Sequence, residues 1–435
     1  MFSELSRIVE GACLFELYGK VEEFVGLSVE ARMRDVFYGE RCTISSIDGK
    51  SLDAEVKGFR NGRVVLLPYG DLTGVKPGSF VKRSRTTLDV QVGQGLLGRI
   101  VDGMGRPIDL GPEIFAEERR MLRGQSVPPL ERSRIRSVLP TGVKALDSML
   151  TLGKGQRLGI FAGAGVGKSS LLGMLLSGVE ADITVIALIG ERGREVKDFL
   201  EEALSDEQRE RTVVVAATAD DPALLRVNAA FTAMAICEYF RDQGKDVFLA
   251  VDSLTRFAMA QREVGLSVGE PPTAKGYTPS VFGLLPELIE RAGTKEGAGS
   301  ISAVYTLLVE NEELEDPIAE SARAILDGHI ILSREVANEG RYPAIDFLGS
   351  ISRLANRLQD DSQIALCRNL RALIKNYAEA RDLVSLGAYH EGKNPNLDRS
   401  LVLVPRIYHL FEQSGKAEIS RDDVYAEMAR ILDKK

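Results

Sequence analysis

Between about residues 138 and 360, apolar positions collect into short unbroken runs: GQRLGIFAG, DITVIALIG, RTVVVAAT, KDVFLAVD, SISAVYTLLV and GHIILSR. Runs of strand length that do not alternate with polar residues are strands covered on both faces. Helical stretches lie between several of them, notably EVKDFLEEALSD and PALLRVNAAFTAMAICEYFRDQG. Buried strands alternating with helices predict an α/β unit on a mostly parallel sheet.

The flanks are patterned differently. Over residues 1–90, short β-rich pieces (GKVEEFVGLSVEA, ERCTISSI, LDAEVKGF, RVVLLPY, SFVKRS) are cut by the turn signals Asp48-Gly49, Asn61-Gly62 and Pro77-Gly78. That spacing predicts a closed β-barrel. Residues 91–137 read as a connector, with GLLGRIVDGMGRPID as a glycine-punctuated hairpin followed by Pro112, Pro128 and Pro129. Residues 361–435 show helical periodicity in QIALCRNLRALIKNYAEARDLVSLGAY and VYAEMARILDKK, broken by the polar turn HEGKNPNLD. The expected division is a barrel over 1–90, an α/β core over 91–360 and a helical domain over 361–435.

Composition adds exclusions. With 435 residues, 44% hydrophobic and 27% charged, the chain can bury several cores. A net charge of −8, and equal numbers of basic and acidic residues over 1–90, leave no electrostatic footprint of a nucleic-acid binder. The barrel is therefore expected to be a structural or ring-forming collar. Cys13, Cys42, Cys237 and Cys367 form no C-x-x-C pair and read as buried reduced thiols. His329, His390 and His409 are not spaced as ligand pairs and read as structural. GACLFEL near the N-terminus is short and interrupted by Glu16, so no leader is expected. No run approaches about 18 apolar residues, so no membrane span is expected. A cytoplasmic location, with any membrane association peripheral, follows as the expectation.

Candidate chemistry begins at IFAGAGVGKSS, residues 160–170, where an apolar strand meets a glycine-rich loop. Gly163, Gly165 and Gly167, with Ala164 and Val166 between them, let successive N–H groups face phosphate oxygens. Lys168 adds a cation, Ser169 a hydroxyl for Mg²⁺, and Ser170 continues into a helix whose positive end faces the same anion. The strict pattern G-x-x-x-x-G-K-[ST] has glycine where this chain has Ala162. A nucleotide binder is predicted.

Three further features point to hydrolysis. Asp252 ends the run KDVFLAVD, expected beside the phosphate strand, where a carboxylate can serve Mg²⁺. Glu191 follows the run DITVIALIG and can polarise water, with Arg192 next to it for phosphate charge. Standing alone, ERGRE reads first as a cluster of solvated charges. Arg353, at the end of AIDFLGSISR, is either a surface cation or a finger reaching a neighbouring subunit's site.

With these residues in place the chain resembles the hexameric rotary-type ATPases and, within them, the type III protein export ATPases of flagella and injectisomes. The motifs TGVKALDSMLTLGKGQRLGIFAGAGVGKSSLLGML, ALIGERGREV, FLAVDSLTRFAMAQRE, GEPPTAKGYTPSVFGLLPELIERAG, DPIAESARAILDGHIILSR and RYPAIDFLGSISR carry the resemblance across nearly the whole chain. It implies a RecA-like core, ATP and Mg²⁺, and roles residue by residue. Lys168 and Ser169 match the loop lysine and the metal-binding hydroxyl. Glu191 matches the catalytic carboxylate, Arg192 the arginine after it, and Asp252 the metal-associated aspartate. Arg256 matches an arginine facing the phosphates, Tyr342 an aromatic packing on adenine, and Arg353 the finger. It places the proline loop of GEPPTAKGYTPSVF near a central pore.

Glu191 and Arg353 lie on one chain, so identical copies would complete every site. A homohexamer is expected, energising flagellar protein export. The expected partners are a regulator, central stalk proteins, chaperone–cargo complexes and a membrane export gate, with no nucleic acid. LGAYHEGKNPNLD, where synthase subunits carry an acidic loop, resembles the export branch. The competing readings are an injectisome ATPase, a subunit of an ion-driven synthase or pump, an RNA-translocating ring, and a nucleotide-sensing scaffold without turnover.

Overall fold

The computed structural model describes residues 18–309, 316–385, 389–390, 392–416 and 419–433. Cys13, GACLFEL and part of the LGAYHEGK turn lie outside them. Six strands, β1 (Tyr18–Val25), β2 (Ser28–Arg32), β3 (Glu40–Ser45), β4 (Ser51–Arg60), β5 (Arg63–Pro68) and β6 (Phe80–Thr87), close into a barrel in the order β1-β2-β5-β4-β3-β6. Alternate positions such as Val29, Ala31, Cys42, Ile44, Val56 and Leu66 fill its interior. Asn61 (φ +50°) and Gly62 (φ +73°) form the two-residue hairpin between β4 and β5, the left-handed pair that Asn-Gly favours. GKVEEFVGLSVEA is two antiparallel strands, not one, divided at Gly26.

The stretch taken for a connector contributes to the sheets. β7 (Asp89–Val92) pairs with β9 (Glu118–Met121), and β8 (Ile100–Val101) adds an edge strand parallel to β12 (Thr212–Thr218). The remaining strands are β10 (Arg157–Ala162), β11 (Ile183–Glu191), β13 (Asp246–Asp252), β14 (Gly293–Thr294), β15 (Ser300–Leu308), β16 (Gly328–Leu332) and β17 (Ile351–Ser352). Their order is β17-β16-β10-β15-β13-β11-β12-β8, parallel from β16 to β8, with β17 antiparallel on β16 and β14 antiparallel on β15. Every apolar strand run of the sequence is a strand of this sheet.

Helices cover both faces. α1 (Lys168–Gly178) and α2 (Gly193–Ala203) lie on one side, with α3 (Ala223–Asp242), α4 (Leu254–Val268), α5 (Pro279–Ile289) and α6 (Pro317–Ile325) on the other. α3 is long and apolar enough to cross a membrane by length and composition, contrary to the reading of the sequence, but it lies inside the protein. Its Phe231 and Phe240 are fully buried, each contributing roughly 1.5–3 kcal/mol through burial. EVKDFLEEALSD breaks after Ala203, where Ser205 starts a new turn with a reciprocal capping box to Gln208.

C-terminal helices α7 (Asp361–Ser385), α8 (Pro395–Phe411) and α9 (Arg421–Asp433) pack on the α1 side of the sheet. α8 was not anticipated. Asn394 caps it through Asn396 and Leu397 N–H groups, Pro395 sits at its first turn, and Leu397, Ser400, Leu403, Val404, Ile407 and Phe411 form its buried face. Cys42, Cys237 and Cys367 are buried free thiols. His329 Nε2 lies 3.0 Å from Gly349 O; His390 and His409 are exposed.

Candidate active site

β10 runs into a loop that needs glycine at two points. Gly165 (φ +78°) and Gly167 (φ +93°) are left-handed. A Cβ on Gly167 would also meet the Tyr342 ring at 3.2 Å. Ala162 lies elsewhere: it ends β10 in register with Leu308 and Leu332. In that strand position the glycine of the strict pattern is not required.

α1 begins immediately after the loop with no side chain capping its first turn. Its leading N–H groups and the helix dipole form an anion site. Ser169 and Ser170 are exposed there. Because β10, β11 and β13 are parallel, their C-terminal ends share one sheet edge. That edge brings together Lys168, Glu191 and Asp252.

Lys168 Nζ contacts Asp252 Oδ1 directly and lies 3.9 Å from Glu191. Arg256, on the first turn of α4, approaches Glu191 at 3.2 Å through Nε, pairing charge without the alignment of a hydrogen bond. Gly190 (φ +70°) turns β11 just before Glu191, and a Cβ there would strike the Arg256 side chain at 2.9 Å. Arg256 therefore sits against the carboxylate. Burial pushes the Glu191 carboxyl above its ordinary range; Lys168 and Arg256 pull it down while the Asp252 charge adds to the rise.

One expectation about neighbours fails. β13 is not beside the phosphate strand, because β15 lies between it and β10. The long Lys168 side chain spans the gap. Thr306 of β15 donates from Oγ1 to Asp252 Oδ1 at 2.6 Å and holds that carboxylate. Both hydrogen bonds to Asp252 fall on Oδ1, leaving Oδ2 as an acceptor.

An exposed hydroxyl at Ser169 and a carboxylate at Asp252 are hard oxygen donors of the kind Mg²⁺ takes. Among the described residues no group of three His, Cys, Asp or Glu could cage a cation. Mg²⁺ needs none where phosphate oxygens and water complete its shell.

Tyr342 is 40% exposed, beside Gly167, and its carbonyl accepts from Gln413 N at 2.8 Å. Arg341 next to it stacks on Tyr408 of α8 at 3.8 Å. The C-terminal helices thus anchor the edge of the site.

Arg192 and Arg353 lie away from this cluster, the second of them as expected for a residue that serves a neighbouring subunit's site. Arg192 precedes α2, is exposed and lies 3.4 Å from Glu195. Arg353 follows β17; its N–H donates to Asp327 O at 3.0 Å and its exposed guanidinium to Arg323 O at 3.2 Å. The registers Gly159↔His329 and His329↔Ile351 put Arg353 level with the start of β10. At 3.3 Å per residue it is about 15–20 Å from the phosphate loop of its own chain.

Sequence reasoning missed Thr306, a polar residue inside the apolar run SISAVYTLLV. It also missed Arg334, whose Nη2 lies 3.6 Å from where a Gly163 Cβ would be.

The sequence model of the ATP synthase alpha/beta family, nucleotide-binding domain, matches residues 142–352. That family's beta-barrel domain matches 21–85, and the T3SS EscN ATPase C-terminal domain matches 359–430. The chain is 45% identical over 402 residues to the flagellum-specific ATP synthase of Bacillus subtilis (strain 168), covering 92% of this chain and 91% of that one. To the flagellum-specific ATP synthase of Salmonella typhimurium it is 47% identical over 407 residues, covering 91% and 89%. The solved structure of the assembled ATPase EscN in complex with its central stalk EscO, from enteropathogenic E. coli, superposes with a TM-score of 0.87 at 40% identity, covering 95% of this chain and 100% of that one.

Proposed function

Because the chain belongs to the ATP synthase alpha/beta family and, within it, to the type III protein export ATPases, we propose that it works in flagellar protein export as a homohexameric, Mg²⁺-dependent ATPase. The observation that carries this reading is the split of the chemistry. Lys168, Glu191 and Asp252 gather at one sheet edge, whereas Arg353 is exposed at the opposite edge. No guanidinium spans that distance, so each site draws its finger from an adjacent copy.

In this reading each residue has a role. The loop N–H groups and Lys168 bind the triphosphate. Ser169 and the free oxygen of Asp252 would hold Mg²⁺, which supplies charge neutralisation at the phosphates when bound. Thr306 fixes Asp252. Glu191 orients the attacking water and accepts its proton. Arg256 keeps that carboxylate in place, and Arg192, freed from Glu195, joins the neighbour's Arg353 against transition-state charge. Tyr342 packs on the adenine.

The barrel over 1–90 would serve as the collar of the ring, 91–360 as the motor, and 361–435 as the face toward chaperone–cargo complexes. A regulator, a central stalk and a membrane gate are the remaining partners, met at the cytoplasmic face of the membrane. The flagellar assignment rests on the flagellum-specific relatives. Export through an injectisome is the second reading, favoured by the likeness to EscN. Deleting the gene decides between them: loss of flagellar filaments is the expected result, and intact filaments with lost effector secretion would reverse it. The activity is tested with the purified chain. Rings that release phosphate from ATP only with Mg²⁺ are expected, and Glu191→Gln should keep ATP binding while hydrolysis stops. Undiminished hydrolysis by that variant would refute the assignment.

A further inference from the structure

The residue against which Arg353 rests is itself an arginine. Arg323 lies in the last turn of α6, where no helical N–H reaches its carbonyl. The exposed Arg353 guanidinium donates to that carbonyl at 3.2 Å. The Arg353 N–H meanwhile continues the β16–β17 ladder to Asp327 O. Phe161 of β10 and His329 of β16 meet edge to face, their ring centroids 5.8 Å apart, and the Arg323 guanidinium lies over the Phe161 ring at 5.5 Å. Burial lowers the His329 pKa, and the charges of Arg323 and Arg353 lower it further against the Gly349 hydrogen bond. Arg323, Phe161, His329 and Arg353 thus form one patch between α6 and the strands.

Stability does not explain Arg323. It is half-buried, and its Nε and Nη2 are buried with no hydrogen-bond partner among the described residues. Asp327, four residues on, is taken by Arg157 at 3.0 Å. A buried guanidinium without an anion costs stability, and an apolar side chain of similar volume would pack better. Attraction to the Phe161 face offsets only part of that cost. What the charge reaches is Arg353. The negative end of the α6 dipole attracts a guanidinium, so an unopposed Arg353 would fold back onto its own chain. A like charge under it opposes that collapse, and the single bond to the Arg323 carbonyl fixes where the exposed guanidinium stands.

We propose that Arg323 is a positioning residue for the finger: its charge, held over Phe161, keeps Arg353 off the end of α6 and directed at the triphosphate of the adjacent copy. This rests on the finger reading above and deepens it. Repulsion between the two guanidinia falls when Arg353 meets that copy's phosphates, so the cost borne at Arg323 favours closure of the interface.

The test changes the side chain and leaves the carbonyl. Arg323→Met and Arg323→Gln remove the charge, Arg323→Lys keeps it, and none touches Lys168, Glu191, Asp252 or Arg353. Each full chain is assayed for melting temperature, for ring formation by sedimentation with a non-hydrolysable ATP analogue, and for phosphate release against ATP concentration. Both uncharged variants should form rings and lose about ten- to a hundredfold in turnover, the scale of a misplaced reacting group, with KM nearly unchanged. Arg323→Met should melt at or above wild type, and Arg323→Lys should keep most of the turnover. Mixed rings then locate the effect. Arg323→Met with Glu191→Gln should recover to about a quarter of wild type, since about one interface in four joins an intact Glu191 to an intact finger pair. Arg323→Met with Arg353→Ala should recover nothing, because both defects fall on the same face. Wild-type turnover by the uncharged variants would overturn the proposal. Lower melting or lost rings in both would make Arg323 structural and overturn it too, as would recovery with Arg353→Ala in place of Glu191→Gln, which would put Arg323 in its own chain's site. If Arg353→Ala and Glu191→Gln fail to rescue each other in mixed rings, the finger reading itself falls, a result distinct from rings in which that pair recovers and Arg323→Met does not.

Discussion

Removing the proposed finger guanidinium with Arg353→Ala is the sharpest perturbation, because it separates a catalytic role from a structural one. The side chain is exposed and its one side-chain hydrogen bond goes to a carbonyl, Arg323 O at 3.2 Å, so little stability is at stake. The proposed role predicts a catalytic effect. A finger contributes about 10³–10⁵ in turnover, or about 4–7 kcal/mol of barrier, while the loop and Lys168, the proposed ATP-binding groups, are untouched. Arg353→Ala should therefore lose at least about a thousandfold in turnover with nearly unchanged nucleotide affinity. Mixing distinguishes the edge that supplies the arginine. A site works when its own chain keeps Glu191 and the adjacent chain keeps Arg353. In rings formed at random from equal amounts of Arg353→Ala and Glu191→Gln chains, about one interface in four meets both conditions by head-to-tail counting. Steady-state phosphate release should accordingly recover to about a quarter of wild type, far above either variant alone. If mixed rings form and the rate stays at the level of the single variants, Arg353 does not act across the interface. Full turnover by a chain diluted below its assembly threshold would refute the arrangement equally.

Two further outcomes follow from the site. Thr306→Val keeps the shape of a fully buried residue and removes its 2.6 Å hydrogen bond to Asp252; hydrogen bonds to charged groups contribute about 1.5–3 kcal/mol. A turnover loss of about ten- to a hundredfold is expected from that range, with ATP affinity retained and Thr306→Ser restoring the rate. The raised Glu191 carboxyl places the acid limb of the turnover–pH profile above the range of an exposed glutamate. The sign for stability is opposite to the usual carboxylate case: a group whose folded pKa is raised binds protons more tightly when folded, so its charge destabilises the fold as pH rises through that range. Glu191→Gln should thus melt slightly higher than wild type near neutral pH, and a lower melting temperature would count against the burial argument.

Much of this was legible from residue patterns. Unbroken runs such as KDVFLAVD and DITVIALIG have the length and β-branched content of doubly covered strands, and Asn61-Gly62 specified a left-handed hairpin. The phosphate loop was legible because glycine, lysine and hydroxyl follow a strand in a fixed order. Strand order was not legible. Nothing local to β10, β13 or β15 states which two are neighbours, so Thr306 could not be assigned to Asp252. α8 was hidden because LVLV and Pro405 argue against a helix, although the spacing from Leu397 to Phe411 carries one. The edge strand β8 was hidden by its two-residue length. Arg192 was read by adjacency to Glu191, yet the β-region backbone before α2 leaves its side chain beside Glu195.

The polarity of the sheet is what makes a neighbour necessary. Parallel strands put every C-terminal end at one edge, and with it the phosphate loop, Glu191 and Asp252. β17 runs antiparallel on β16 and delivers Arg353 to the other edge. A single copy therefore presents half a site at each of two separate faces, and no side-chain rearrangement within the chain brings them together. In the proposed ring, rotating identical copies around an axis would bring the two halves together at every interface. Assembly and turnover would then share one surface, so a substitution that only weakens the contact between copies should lower turnover as far as it depopulates rings, whereas loss of Arg353 should lower it within rings that are fully formed.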